Sequence, residues 1–252
     1  MSCRRRATPW RRWALNARSS ARQAEHMVQD RRAALQGFIA SDQFPCVGAK
    51  AAVSQNQLRV LEAGRLDAPH DDLEIREALC DFIGVLNRDG PQLQSLIVLF
   101  EGPSGLSEPA FETALWNRLQ ALHNLDVAAG EPWAGDVSSD PQSAQFSMSI
   151  AGEPFFVVGL HENASRPARR FAYPALAFNA HRQFEALRQD GRYAVMKQAI
   201  RQREEEAHGG VNPMLADFGE GREAAQYSGR EVDADWAAPF KPHAAAMKDQ
   251  SR

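Results

Sequence analysis

The residues best suited to chemistry lie between Gln145 and Arg188, in QFSMSIAGEPFFVVGLHENASRPARRFAYPALAFNAHRQFEALR. His161 closes the apolar run PFFVVGL, and His181 opens the amphipathic stretch AHRQFEALR. A neutral imidazole can ligate a metal or accept a proton. Arg166, Arg169 and Arg170 stand between the two histidines, and guanidinium forks suit carboxylates. Further on, Asp217, Glu220 and Glu223 stand near Tyr227 and Arg230. Carboxylates of this kind could hold a cationic substrate group. Cys46, in FPCVGAKAA, is a third donor, although a free cysteine is usually a small buried apolar residue. Each feature has a plain structural alternative: a loop histidine, a helix-start histidine, a solvated basic loop and a charged surface segment. Taken alone, these residues describe a basic pocket with two histidines and do not select a reaction.

Strands and helices must place these groups. QFSMSI and PFFVVGL flank the turn AGEP and predict a hairpin. PALAFN predicts a third strand, and Asn179 is suited to N-cap a helix that starts at His181. That helix runs towards His208, with a break expected at Asp190-Gly191. Phe184 and Arg188, three and seven positions after His181, share its face. Upstream, SLIVLF (95–100) predicts a central strand. Ser107 opens a helix with Phe111, Leu115, Leu119 and Leu122 on one stripe. Residues 25–41 and 49–60 read as helices. LDAPHDDLEIREALCDFIGVLN reads as a turn and a helix, with Asp71 or Asp72 as its N-cap. The order predicts an α/β (α+β) fold, a central mixed or antiparallel sheet flanked by helices. One domain is expected over 25–252. Met1 to Ala24 has seven arginines and no acid and is expected to be a dispensable basic extension.

Composition excludes several classes. A net charge of -3 and a pI near 6.2 give no global argument for nucleic acid or a membrane surface. No apolar run approaches the roughly 18 residues of a membrane span. Three scattered cysteines without a C-x-x-C pair speak against a zinc knuckle, a redox pair or covalent c-type haem, and predict a cytoplasmic protein.

FPCVGAKAA, GLHENASRPARRFAYPALAFNAHRQFEALR and NPMLADFGEGREAAQYSGR together resemble the YqcI/YcgG-type family, over about residues 37–240. Val47-Gly48 and Glu162 depart from its usual pattern. The resemblance implies haem-dependent N-hydroxylation of a guanidine or amine, as in the guanitoxin-pathway hydroxylase. It implies haem b as cofactor, dioxygen and an external electron donor as partners, and a small amino-acid-like substrate. A homodimer is left open. On this reading His161 or His181 ligates the iron, with His161 preferred, and Cys46 is the third candidate. Arg166, Arg169 and Arg170 take haem propionates or a substrate carboxylate. Asp217 and Glu220, with Glu223 nearby, hold the nitrogen to be hydroxylated. The alternative is a non-catalytic haem- or anion-binding protein.

Overall fold

A computed structural model describes residues 27–42, 44–90, 93–210 and 217–243. The basic segment 1–24 therefore lies outside the described residues. Helix α1 (27–40) is followed by α2 (Val47–Ser54), β1 (Leu58–Arg65), α3 (Asp72–Asp89), β2 (Ser95–Gly102) and α4 (Glu108–Ala129). Then come β3 (Met148–Ile150), β4 (Glu153–Leu160), β5 (Ala175–Ala180), α5 (His181–Gln189) and α6 (Arg192–His208). The five strands form one mixed sheet in the order β1-β2-β5-β4-β3. β1 and β2 run parallel, and every other pair is antiparallel. The fold is α/β, with helices on both faces of an open sheet.

The alternation of side chains along each strand decides what each face does. Leu96, Val98, Phe100, Phe155, Val157, Leu176 and Phe178 pack with buried residues of α3 and α4. Their neighbours Ile97, Leu99, Leu160, Ala175 and Ala177 pack with Leu35 and Ile39 of α1. β2 is buried on both sides, so its sequence is a continuous apolar run rather than an alternation. The hairpin turns at Ala151-Gly152, both with positive φ, as a tight turn matching strand twist requires.

Several boundaries follow local chemistry. Ser107 caps α4 by accepting from the Ala110 amide at 3.4 Å. Gly191, with φ of 73°, separates α5 from α6, at the break expected there. Two expectations are corrected. The helix read over 49–60 ends at Ser54, and Leu58–Arg65 is an edge strand. Its charged Arg59, Glu62 and Arg65 obscure the strand pattern, and pairing with β2 overrides the local helical preference. Asn179 is not the cap of α5. Ala180 holds that position without a side-chain cap, while the Asn179 side chain accepts from Ser95 Oγ at 2.6 Å and donates to the Phe156 carbonyl at 3.3 Å. Asp71 stands at the N-cap of α3 but makes no side-chain cap bond there; its carboxylate accepts from the Gly64 amide at 2.9 Å.

Two stability predictions arise here. A Cβ at Gly159 would lie 2.7 Å from a Phe111 ring carbon and 2.9 Å from Leu115 Cδ1. Gly159→Ala should therefore overpack the β4–α4 contact and cost about 1–3 kcal/mol, read as a lower denaturation midpoint. His123, on α4, is 2% exposed. Burial, with His243 beside it, pushes its imidazole down to about 4. The unfolded chain then binds the proton first, so stability is unaffected above about pH 6.5 and falls as the pH drops towards 4. The loss is on the order of 3 kcal/mol, and His123→Phe should flatten this part of a stability–pH curve.

Candidate functional site

A cavity of about 300 Å³ lies on the α1/α2 face of the sheet, walled by α2, α5, α6 and the arginine loop. This is near the lower end of the roughly 300–1,000 Å³ usual for small-molecule sites. Ile97, Phe156, Val158 and Ala177 provide its apolar floor, and Phe184, Met196 and Phe218 extend the apolar wall. The polar groups converge on this surface from separate elements.

His181 is the first residue of α5 and lines the cavity. Its Nε2 is 2.9 Å from Glu223 Oε2 and 2.8 Å from Ser147 Oγ. The other carboxylate oxygen, Glu223 Oε1, accepts from the Tyr227 hydroxyl at 2.6 Å. Nδ1 of His181 has no hydrogen-bond partner among the described residues. Serine, histidine and glutamate in contact suggest a nucleophile relay, but the geometry is wrong for one. Both partners meet the same ring nitrogen, whereas a relay uses the two nitrogens in turn. Ser147 is also fully buried, outside the cavity lining.

The arginine loop divides its three cations. Arg166 lines the cavity and donates to Glu204 Oε1 at 2.9 Å. Arg169 also lines it, and its guanidinium donates to the carbonyls of Gly159 (3.1 Å), Tyr227 (3.3 Å) and Gln226 (3.2 Å). Burial, aided by the charge of Arg166, pulls Arg169 down to about 10, so it remains a cation at neutral pH. Arg170 turns away and donates to the carbonyls of Ala164 and Ser165, both at 2.9 Å. Its work is to shape the loop.

Cys46 lines the cavity and caps α2, its Sγ accepting from the Ala49 amide at 3.4 Å. Burial raises its thiol against the pull of the Ala49 and Gly48 amides and Arg169, so the neutral form is favoured. His161 is on the other face of the sheet. It is 2% exposed and stacks on Phe111 of α4, ring centroids 4.2 Å apart. Burial lowers its basicity. Strand alternation explains the placement, because His161 continues the parity of Phe155, Val157 and Gly159.

Among the carboxylates, Asp217 lines the cavity, receives the Tyr193 hydroxyl at 3.1 Å and pairs with Lys197. Burial opposes its ionisation, but the hydrogen bonds from Lys197 and Tyr193 and the Lys197 charge hold it below the ordinary aspartate value. Glu220 is exposed and outside the cavity lining. Arg230 is engaged elsewhere, with buried Glu112 at the end of an ion pair. Sequence reasoning missed Tyr193, Lys197 and Glu204. Their signal was present: Tyr193, Met196, Lys197, Ile200 and Glu204 recur at helical spacing and form the cavity face of α6.

The site is thus a partly apolar chamber with one anchored histidine, two arginines and carboxylates bearing cation partners. It can bind a small molecule with both an anionic and a cationic end. Among the described residues there is no cluster of three or more acidic, histidine or cysteine side chains able to hold a bare metal ion. No helix among them is long and apolar enough to cross a membrane.

The chain belongs to the YqcI/YcgG family, whose sequence model matches residues 35–241. It is 28% identical over 196 residues to the Bacillus subtilis (strain 168) protein named "Uncharacterized protein YcgG", covering 74% of this chain and 76% of that one. It is also 28% identical over 151 residues to "Uncharacterized protein YqcI" of the same organism, 58% of each chain. No solved structure matches.

Proposed function

We propose that this member of the YqcI/YcgG family is a haem b-dependent monooxygenase that N-hydroxylates a guanidine or amine of a small amino-acid-like substrate. The observation carrying this reading is the environment of His181. Metal-ligating histidines characteristically give one ring N–H to a carboxylate and the other nitrogen to the metal. His181 has the carboxylate partner, a second nitrogen without a hydrogen-bond partner among the described residues, and apolar surface beside it. A haem needs only one such protein ligand, so the donor set fits it although the described residues form no larger metal cluster.

Bound haem would supply dioxygen activation and oxygen transfer, with electrons from an external donor. The chain's own residues would do the rest. His181 would hold the iron, and Arg166 and Arg169 would take propionate or substrate carboxylate groups. Asp217 and Glu204 would orient the substrate nitrogen, since each carboxylate oxygen can accept more than one hydrogen bond. A guanidinium is protonated at neutral pH, so these carboxylates would also take part in managing its proton. Phe156, Phe184 and Phe218 would keep water from the reacting nitrogen. Because Arg170 and Glu220 lie outside the chamber, neither has a part in this scheme.

The test is haem titration of the purified chain. The expected result is one haem per chain and an intense Soret band that moves on adding carbon monoxide to the reduced protein. A screen of guanidines and amines, with a reductant and dioxygen, should then yield an N-hydroxylated product. A chain that stays colourless after expression with added haem would remove the proposal. The second reading, a non-catalytic anion- or haem-binding protein, is favoured by one observation. Arg169 is a half-buried cation that makes no carboxylate ion pair among the described residues. Ligand binding without turnover across the substrate screen would select it.

A further inference from the structure

We propose that Glu223 and Tyr227 are positioning residues that fix His181 as its Nε2–H tautomer, leaving Nδ1 as the imidazole's acceptor atom for the cavity's ligand. The inference rests on the proposed reading of the same cavity and deepens it, but its core concerns protons that the apoprotein already holds.

The proton count runs through four buried side chains. The Tyr227 oxygen accepts from the Met148 amide at 2.9 Å. Its own proton is directed to Glu223 Oε1 at 2.6 Å, with the Phe155 carbonyl farther away at 3.1 Å. Burial keeps that phenol protonated. Glu223 therefore acts as an acceptor on Oε1, and its Oε2 faces His181 Nε2 at 2.9 Å. A bare Nε2 there would set a lone pair against a carboxylate in a dry site, which is costly. A proton on Nε2 resolves the conflict. Ser147 fits the same assignment, since its hydroxyl can donate to the Phe155 carbonyl at 3.1 Å while its oxygen faces Nε2 at 2.8 Å. Each group then has a consistent role, and an imidazole with its single proton on Nε2 has one lone pair left, on Nδ1.

The arrangement has two consequences. The ring cannot swing, because its far side is held by residues of the β3 approach and of the 223–227 turn. A carboxylate hydrogen bond to one nitrogen also raises the electron density that the other offers to a metal. Glu223 thus acts through His181 rather than touching the ligand's reacting atoms.

The experiment is long-range proton–nitrogen NMR on the full chain with labelled histidine and no haem. His181 is assigned by the signal lost in His181→Gln. The expected pattern is protonated Nε2 and lone-pair Nδ1 near neutral pH. Glu223→Gln should mix the tautomers, and Tyr227→Phe should shift the ratio in the same direction. If Glu223→Gln does not fold, the wild-type tautomer and Tyr227→Phe still decide the matter. Protonated Nδ1 in the wild type overturns the inference, as does an unchanged tautomer in both variants. In protein that takes up haem, Glu223→Gln should raise the iron(III)/iron(II) potential relative to wild type. An Nε2–H result in a chain that shows no Soret band upholds the positioning pair while removing the monooxygenase reading.

Discussion

Replacing His181 by alanine should abolish haem binding, with a loss beyond the roughly 10–100-fold expected for an outer partner of a ligand. In the proposed site His181 would be the one ligand to the iron among the described residues. Its removal would also take the ring partner from buried Glu223 Oε2, 2.9 Å from the missing nitrogen, while Glu223 Oε1 keeps the Tyr227 hydroxyl and Ser147 keeps the Phe155 carbonyl. Some loss of stability should accompany the spectral change, at roughly 1–3 kcal/mol for that one unpaired carboxylate oxygen. Added imidazole separates the two effects. It can refill the space and restore a Soret band if ligation was lost, whereas a collapsed fold would not respond. His161→Ala is the comparison. His161 stacks on Phe111 across the sheet from the cavity, so its loss should lower the denaturation midpoint and leave the ferric, ferrous and carbon monoxide spectra unchanged. Cys46→Ala should behave similarly, since the thiol is a neutral helix cap. If His161→Ala or Cys46→Ala alone erased the haem spectrum, His181 would not be the ligand.

The second large effect is expected at Arg169. Arg169→Ala should weaken binding of the anionic ligand by about 1.5–3 kcal/mol, roughly 10- to 150-fold, for the loss of one charge-assisted contact. Geometry makes Arg169 the stronger choice over Arg166 and Arg170. Arg166 already shares Glu204, and Arg170 is spent on loop carbonyls. Arg169 gives three donations to carbonyls and, of the five N–H groups of a guanidinium, retains capacity for a ligand oxygen. The same change unpairs the carbonyls of Gly159, Gln226 and Tyr227, so the 226–227 turn should loosen from β4. Arg169→Lys keeps the charge but not the fork. It should recover part of the stability and little of the affinity. Binding isotherms for haem and for a carboxylate-bearing substrate, compared with denaturation midpoints, distinguish the two losses. Unchanged affinity for both ligands in a folded Arg169→Ala would reduce the arginine to a structural tie.

The amino-acid sequence determined most of the frame. SLIVLF could only be satisfied as a doubly buried strand, and β2 is that strand. Ser107 and the stripe Phe111, Leu115, Leu119 and Leu122 specify α4, and Asp190-Gly191 breaks the last long helix as its backbone requires. These are local signals: apolar period, capping group and positive φ. Three of the residues picked out in one stretch of sequence, His181, Arg166 and Arg169, line one cavity.

Tertiary structure decided which of them meet. His161 and His181 are equivalent by composition, but the two-residue period of β4 turns His161 towards Phe111 while the start of α5 puts His181 in the cavity. Glu223 and Glu220 are three residues apart, yet one is buried against His181 and Tyr227 while the other faces solvent. The first three residues of edge strand β1, 58–60, read as helix because the strand's identity comes from hydrogen bonds to a strand that begins 37 positions later, Leu58 facing Ser95. Asn179 looks like a helix cap by its neighbours in sequence, but its side chain is taken by Ser95, 84 positions away. In each case the deciding partner is distant along the chain, and a carboxamide or carboxylate goes to the nearest group in space that satisfies it.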